Sequence, residues 1–83
     1  MRVYIVYCGR AYSGFYIKEV FDSYEKATDY YWEKYRLKKS EWTYDSTHDR
    51  YFYDDNINAE TSKILSLEKD WYDSFYIICK DVK

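Results

Sequence analysis

Tyrosine constrains this chain more than any other residue. Thirteen of its 83 positions carry it, beside three tryptophans and four phenylalanines, while proline is absent and glycine occurs twice. A tyrosine ring favours burial, yet its hydroxyl demands water or a hydrogen-bond partner. A chain furnished this way builds a small aromatic core and an amphipathic, adhesive surface from one residue type. It points to recognition by contact and names no target.

The length supports a single domain, residues 1–83. A chain of this size buries roughly 60–65% of its unfolded surface, so few idle polar groups fit in the core. Aromatic side chains offset that by burying about 150–250 Å² each. The mean hydropathy of −0.79 is polar, but that scale counts tyrosine as unfavourable. A net charge of −2 and the absence of low-complexity tracts predict a folded chain.

Met1 leads directly into the apolar run Arg2–Cys8, without the basic segment and cleavage site of an export signal. The longest apolar run, Phe75–Cys79, is too short to span a bilayer. The two cysteines, Cys8 and Cys79, read as buried thiols in a reducing compartment. The expectation is a cytoplasmic protein with no membrane association.

Arg2–Cys8 is apolar on both alternating faces and rich in β-branched and aromatic residues, which predicts a strand covered on both sides or placed inside a sheet. Residues 9–14 hold both glycines and form the natural reversal, with Phe15–Phe21 the returning strand. Asp22 and Ser23 open a helix, since either side chain can accept from the first free amides. Tyr24, Ala27, Tyr31 and Tyr35 recur at helical spacing on one face, and Trp32 projects away from them. The helix is predicted to end around Lys38–Ser40. Trp42–Tyr44 and Tyr51–Tyr53 flank a turn-rich spacer and predict a hairpin. Residues 62–68 read either as a strand or as a short helix capped by Asn58; the alternation of Leu65 and Leu67 favours a strand in a second hairpin with Phe75–Cys79. The sum is an α+β fold, an antiparallel sheet of hairpins with a single amphipathic helix packed on one face.

Charge is unevenly distributed. Residues 1–40 carry eight basic and five acidic side chains, whereas residues 41–60 carry six acidic and one basic. The acidic stretch also holds aromatics, so Trp42, Tyr44, Asp45, Asp49, Tyr51, Tyr53, Asp54 and Asp55 form the first candidate contact surface, suited to a protein partner with a basic surface. Turn aspartates around a core hairpin explain the same residues without a partner. Tyr31, Trp32, Lys34, Tyr35, Arg36, Lys38 and Lys39 form the alternative, a nucleic-acid surface of cations and stacking rings. A sequence pI near 5.3 argues against it. Compensation of the helix dipole accounts for the basic cluster. Self-association through exposed tyrosines is a third possibility.

Chemistry finds little material. The one histidine, His48, lies in a predicted turn, and no spacing pairs it with Ser13 or Cys8 as nucleophile. Two distant cysteines and one histidine make a poor metal set, and the glycines match no phosphate loop. The expectation is a non-enzyme with no cofactor and no metal.

Val3–Val6, then Tyr12–Ile17, then Val20–Ala27 together resemble a pattern in small proteins encoded by phages and prophages of Gram-positive bacteria: a "VY-hydrophobic" strand, a "YS-aromatic" turn and a "VFdSxEKA" helix entry. The resemblance covers residues 3–27 and rests on fold-specifying positions. It implies a small α+β domain, a host-cell cytoplasmic setting, and a stoichiometric job: binding and blocking a host protein, such as a nuclease or a defence protein. It implies no catalytic residue.

Overall fold

A computed structural model describes residues 1–10, 13–53, 57–69 and 72–82. The first hairpin pairs β1 (Arg2–Arg10) with β2 (Gly14–Phe21), as the glycine window predicts. Gly14 sits at φ +103°, a conformation that side chains rarely adopt. At Gly9 a Cβ atom would lie 2.2 Å from the Gly14 carbonyl oxygen, so only glycine fits there. The pairing slips between Val6 and Tyr7, where Val6 faces Glu19 and Tyr7 faces Ile17, leaving Lys18 as an extra residue in a β-bulge.

Helix α1 (Tyr24–Tyr35) begins at Ser23, whose hydroxyl accepts from the Lys26 amide at 3.2 Å. The predicted stripe is the buried one: Ala27, Tyr31 and Tyr35 are fully enclosed. The helix ends earlier than the basic run suggested. Arg36 adopts a left-handed conformation (φ 59°), and its amide bonds back to the Trp32 carbonyl at 3.0 Å. That reversal drops Leu37 into the core, so burial of one leucine outweighs continuation of the helix. A single 3₁₀ turn, Lys39–Glu41, then leads into the hairpin of β3 (Trp42–Asp45) and β4 (Arg50–Tyr53).

Residues 59–68 correct the strand reading. They form helix α2 (Ala59–Glu68), capped by Asn58, whose side-chain oxygen accepts from the Thr61 amide at 2.8 Å. The alternation of Leu65 with Leu67 misleads, because Leu67 is 74% exposed and Thr61 with Leu65 supplies the buried pair at helical spacing. Thr61 also donates its hydroxyl to the Tyr35 carbonyl at 2.6 Å, tying the start of α2 to the end of α1. Two helices therefore cover the sheet, not one.

Strand β5 (Ser74–Asp81) inserts between the two hairpins, giving a fully antiparallel five-stranded sheet in the order β2-β1-β5-β4-β3. The fold is α+β. Val6, Cys8, Phe75, Ile77 and Tyr31 meet in the core between sheet and helices. The terminal strands pair, yet Cys79 lies opposite Tyr4 and Cys8 opposite Phe75, so the two thiols are buried on different rungs and form no disulfide. No helix among the described residues is long and apolar enough to cross a membrane.

Candidate functional site

Residues directly opposite each other in an antiparallel pair share a face. The pairs Val6 with Ile77 and Cys8 with Phe75 point toward the helices. On the reverse face the rungs are Ile5 with Ile78 and Tyr7 with Tyr76, extended outward by Val20, Ile17 and Phe15 on β2 and by Phe52 on β4. Both helices lie on the other side, so no described element covers this face. Ile17 and Val20 are 63% and 48% exposed, and the others are half-buried by their neighbours alone.

The bulge matters here. Ile17 and Val20 are three residues apart, and a regular strand would place them on opposite faces. The extra residue Lys18 brings both to the uncovered face and turns Phe21 inward against Tyr30, at 5.7 Å between ring centroids. Tyr7 and Phe15 stack nearly parallel, 5.2 Å apart at 14°. Phe15 lies diagonal to Tyr7 and opposite Gly9, where no side chain blocks its ring from reaching the Tyr7 ring. One corner is polar. Arg50 lies over the Tyr76 ring at 4.4 Å, and its Nε is 3.5 Å from the Asp45 carboxylate. Beside it runs a groove of about 340 Å³ lined by Asp45, Arg50, Phe52, Asp73, Ser74 and Tyr76.

The first candidate surface is only partly assembled. Trp42 is a core residue, 9% exposed, packed on Tyr31 at 4.8 Å and Tyr53 at 5.2 Å. Tyr51 packs on Tyr24 at 4.3 Å, and the Tyr53 hydroxyl accepts from the Lys38 amide, so both rings brace the core from its edge. These three aromatics point inward because the face of β3 and β4 that they occupy lies beneath α1. Tyr44 is exposed and donates to Asp49 at 2.7 Å. Asp49 also pairs with Arg2 at 2.6 Å, and these two donors hold its carboxyl below the usual range. His48, 2.7 Å from Asp45, and the Thr47 amide do the same for Asp45. Both acids are thus already engaged within the chain. Asp54 and Asp55 lie outside the described residues.

The alternative surface comes apart as well. Tyr31 and Tyr35 are fully buried, because they form the core-facing stripe of α1. Trp32 is 42% exposed and carries Arg36 over its ring at 5.2 Å. Arg36 faces Glu60, Lys39 pairs with Asp29, and Lys34 leans on Tyr30 and Tyr35. Lys38 is left exposed without joining a ring to a cation track.

The sequence reading passed over the uncovered sheet face, although its signal was present. Arg2–Cys8 and Phe75–Cys79 are apolar on both alternations, and two helices on one side satisfy only half of that pattern. The Asp45–His48 pair joins a side chain 59% exposed to one 22% exposed at the end of the β3–β4 hairpin. Among the described residues no group of three or more His, Cys, Asp or Glu converges as a metal set. Comparison of the chain with protein-family models, with curated proteins and with solved structures finds no match.

Proposed function

We propose that this chain acts by contact and not by catalysis, laying the uncovered face of its sheet on another protein and blocking the surface it covers. The observation that carries this reading is the apolar floor formed by Ile5, Tyr7, Phe15, Ile17, Tyr76 and Ile78, which no described element shields. Contiguous apolar surface of that kind is rare on a soluble monomer and marks an interaction site. The Arg50–Asp45 corner supplies a polar rim that orients a partner. The resemblance of residues 3–27 to phage and prophage proteins makes a host protein the first class of partner to try.

The same face argues against a base-stacking platform. One flat side of Tyr7 is turned on one of Phe15, Arg50 lies over the Tyr76 ring, and Asp45 beside Arg50 offsets its charge. Single-strand binders need free ring faces beside a cationic track.

The test is a charge placed on the face. Ile17→Lys and Ile78→Lys keep the helical signal and the melting transition, and lose binding to the captured host protein. Binding that survives both, yet fails in Tyr44→Ala with Asp49→Lys, would move the site to the hairpin tip.

A further inference from the structure

We infer that the occupant of the uncovered face is a second copy of this chain, the two sheets stacking into a two-fold dimer. This rests on the docking reading above and puts a second copy, in place of the host protein, as the first occupant of that face; a host protein would have to displace it.

Area is the first argument. Five strands about 4.8 Å apart, over about seven residues at about 3.3 Å each, give a face of roughly 24 by 23 Å, about 550 Å² per copy before side-chain relief. With that relief, two copies cover about 1,200–1,500 Å², inside the range of specific protein interfaces.

Charge is the second. The corner of the face shows a cation and an anion together, Arg50 with Asp45 at 3.5 Å. Lys80, opposite Val3, adds an exposed cation at one end of the same face, and a two-fold axis along the Ile5–Ile78 rung sets the two copies' lysines at opposite ends. A strongly basic partner finds no complement there, because selective pairing needs opposite potentials.

Shape is the third. A polar face of an antiparallel sheet can stand in water, but an apolar face is covered by helices or by another sheet, packed about 10 Å away with strands within about 30°. Both described helices pack on the other side, where Tyr31 and Leu65 join the core. A two-fold axis through the centre of the face sets the β1–β5 rungs of one copy on those of the other. Ile5 and Ile78 then meet their own equivalents, and the stacked rings of Tyr7 and Phe15 pack between opposing side chains.

The experiment is sedimentation velocity from about 1 µM to about 200 µM, a range that brackets micromolar affinities. The chain is expected at twice its 10.3 kDa mass well below the upper limit. Ile5→Glu and Ile5→Lys, each alone, should weaken association by about 100-fold or more, since each places two like charges across the axis. Mixing the two variants should restore the dimer, which a merely misfolded variant cannot do. Ile17→Lys, on a strongly exposed position, serves if the Ile5 variants fail to fold. A wild-type monomer at the upper limit overturns the dimer. If that monomer binds a hydrophobic dye and Ile5→Glu abolishes the binding, the docking reading stands while the second copy is excluded. A dimer undisturbed by all three variants overturns the placement of the second copy on this face.

Discussion

The hydroxyl of Tyr31, midway along α1, donates to the main-chain carbonyl of Tyr76 on β5 at 2.8 Å. The ring of Tyr76 lies on the opposite, uncovered side of the sheet. The core helix is thus hydrogen-bonded to the back of the residue whose front forms the uncovered apolar floor. Tyr31 also packs on Trp42, Phe75 and Tyr35. One side chain joins the helix, both hairpins' neighbour β5 and the hydrogen-bonding needs of a buried phenol.

Replacing that phenol separates its two contributions. Tyr31→Phe should lower stability by about 1–2 kcal/mol, the cost of removing a hydrogen bond to a buried carbonyl. Tyr31→Ala should cost about 3–5 kcal/mol, because a cavity follows. Urea denaturation measures both. A phenylalanine variant as stable as wild type would show that the bond anchors nothing.

Alkaline titration should expose the same residue. Burial pushes the Tyr31 phenol well above its ordinary value of 10.0. Its folded-state pKa is therefore the higher one, so its stabilisation is complete below pH 10.0 and is lost as pH rises beyond it. Tyrosinate absorbance should rise first from exposed phenols with circular dichroism unchanged, then again as the fold collapses. Tyr31→Phe should make stability fall less steeply with pH above 10.0. Complete ionisation of all thirteen tyrosines before any loss of structure would contradict the buried placement.

Acid should weaken the hairpin tip through Asp49. Donation from Tyr44, followed by that from Arg2, holds its carboxyl below the ordinary 3.8. A depressed folded-state pKa stabilises above 3.8 and loses that contribution as pH falls through the folded value. Asp49→Asn should therefore be less stable than wild type at neutral pH and indistinguishable from it in strong acid. Because the pair is exposed, the gap should also narrow at about 1 M salt. Thermal melts across pH and salt decide it.

Two backbone positions should respond in opposite directions. Lys69 closes α2 at φ 60°, so Lys69→Gly should add about 0.5–1 kcal/mol by relieving left-handed strain. Gly9→Ala should cost about 2 kcal/mol or more, because its methyl would collide with the Gly14 carbonyl rather than with a yielding side chain. Equal effects of like sign would show that the hairpin relaxes around Gly9.

Much of this molecule was legible in the residues. The first hairpin followed from two glycines between β-prone runs, and α1 from its cap and the spacing of Ala27, Tyr31 and Tyr35. Those are local signals, set by backbone conformation and periodicity within a few neighbours. Residues 62–68 were ambiguous because alternation and helical spacing share Leu65; the contact of Thr61 with the Tyr35 carbonyl resolves them, and that contact spans the chain. Trp42, Tyr51 and Tyr53 resembled a surface because charge beside them is local, whereas the helix above them is not. The uncovered face depends on still longer relations. Strand β5 must enter between the hairpins, both helices must choose one side, and the bulge at Lys18 must rotate Ile17 and Val20 together. Sequence alone determined that two strands are apolar on both sides. Only the assembled sheet decided which side was left bare, because facing is a property of long-range pairing that no short window of residues encodes.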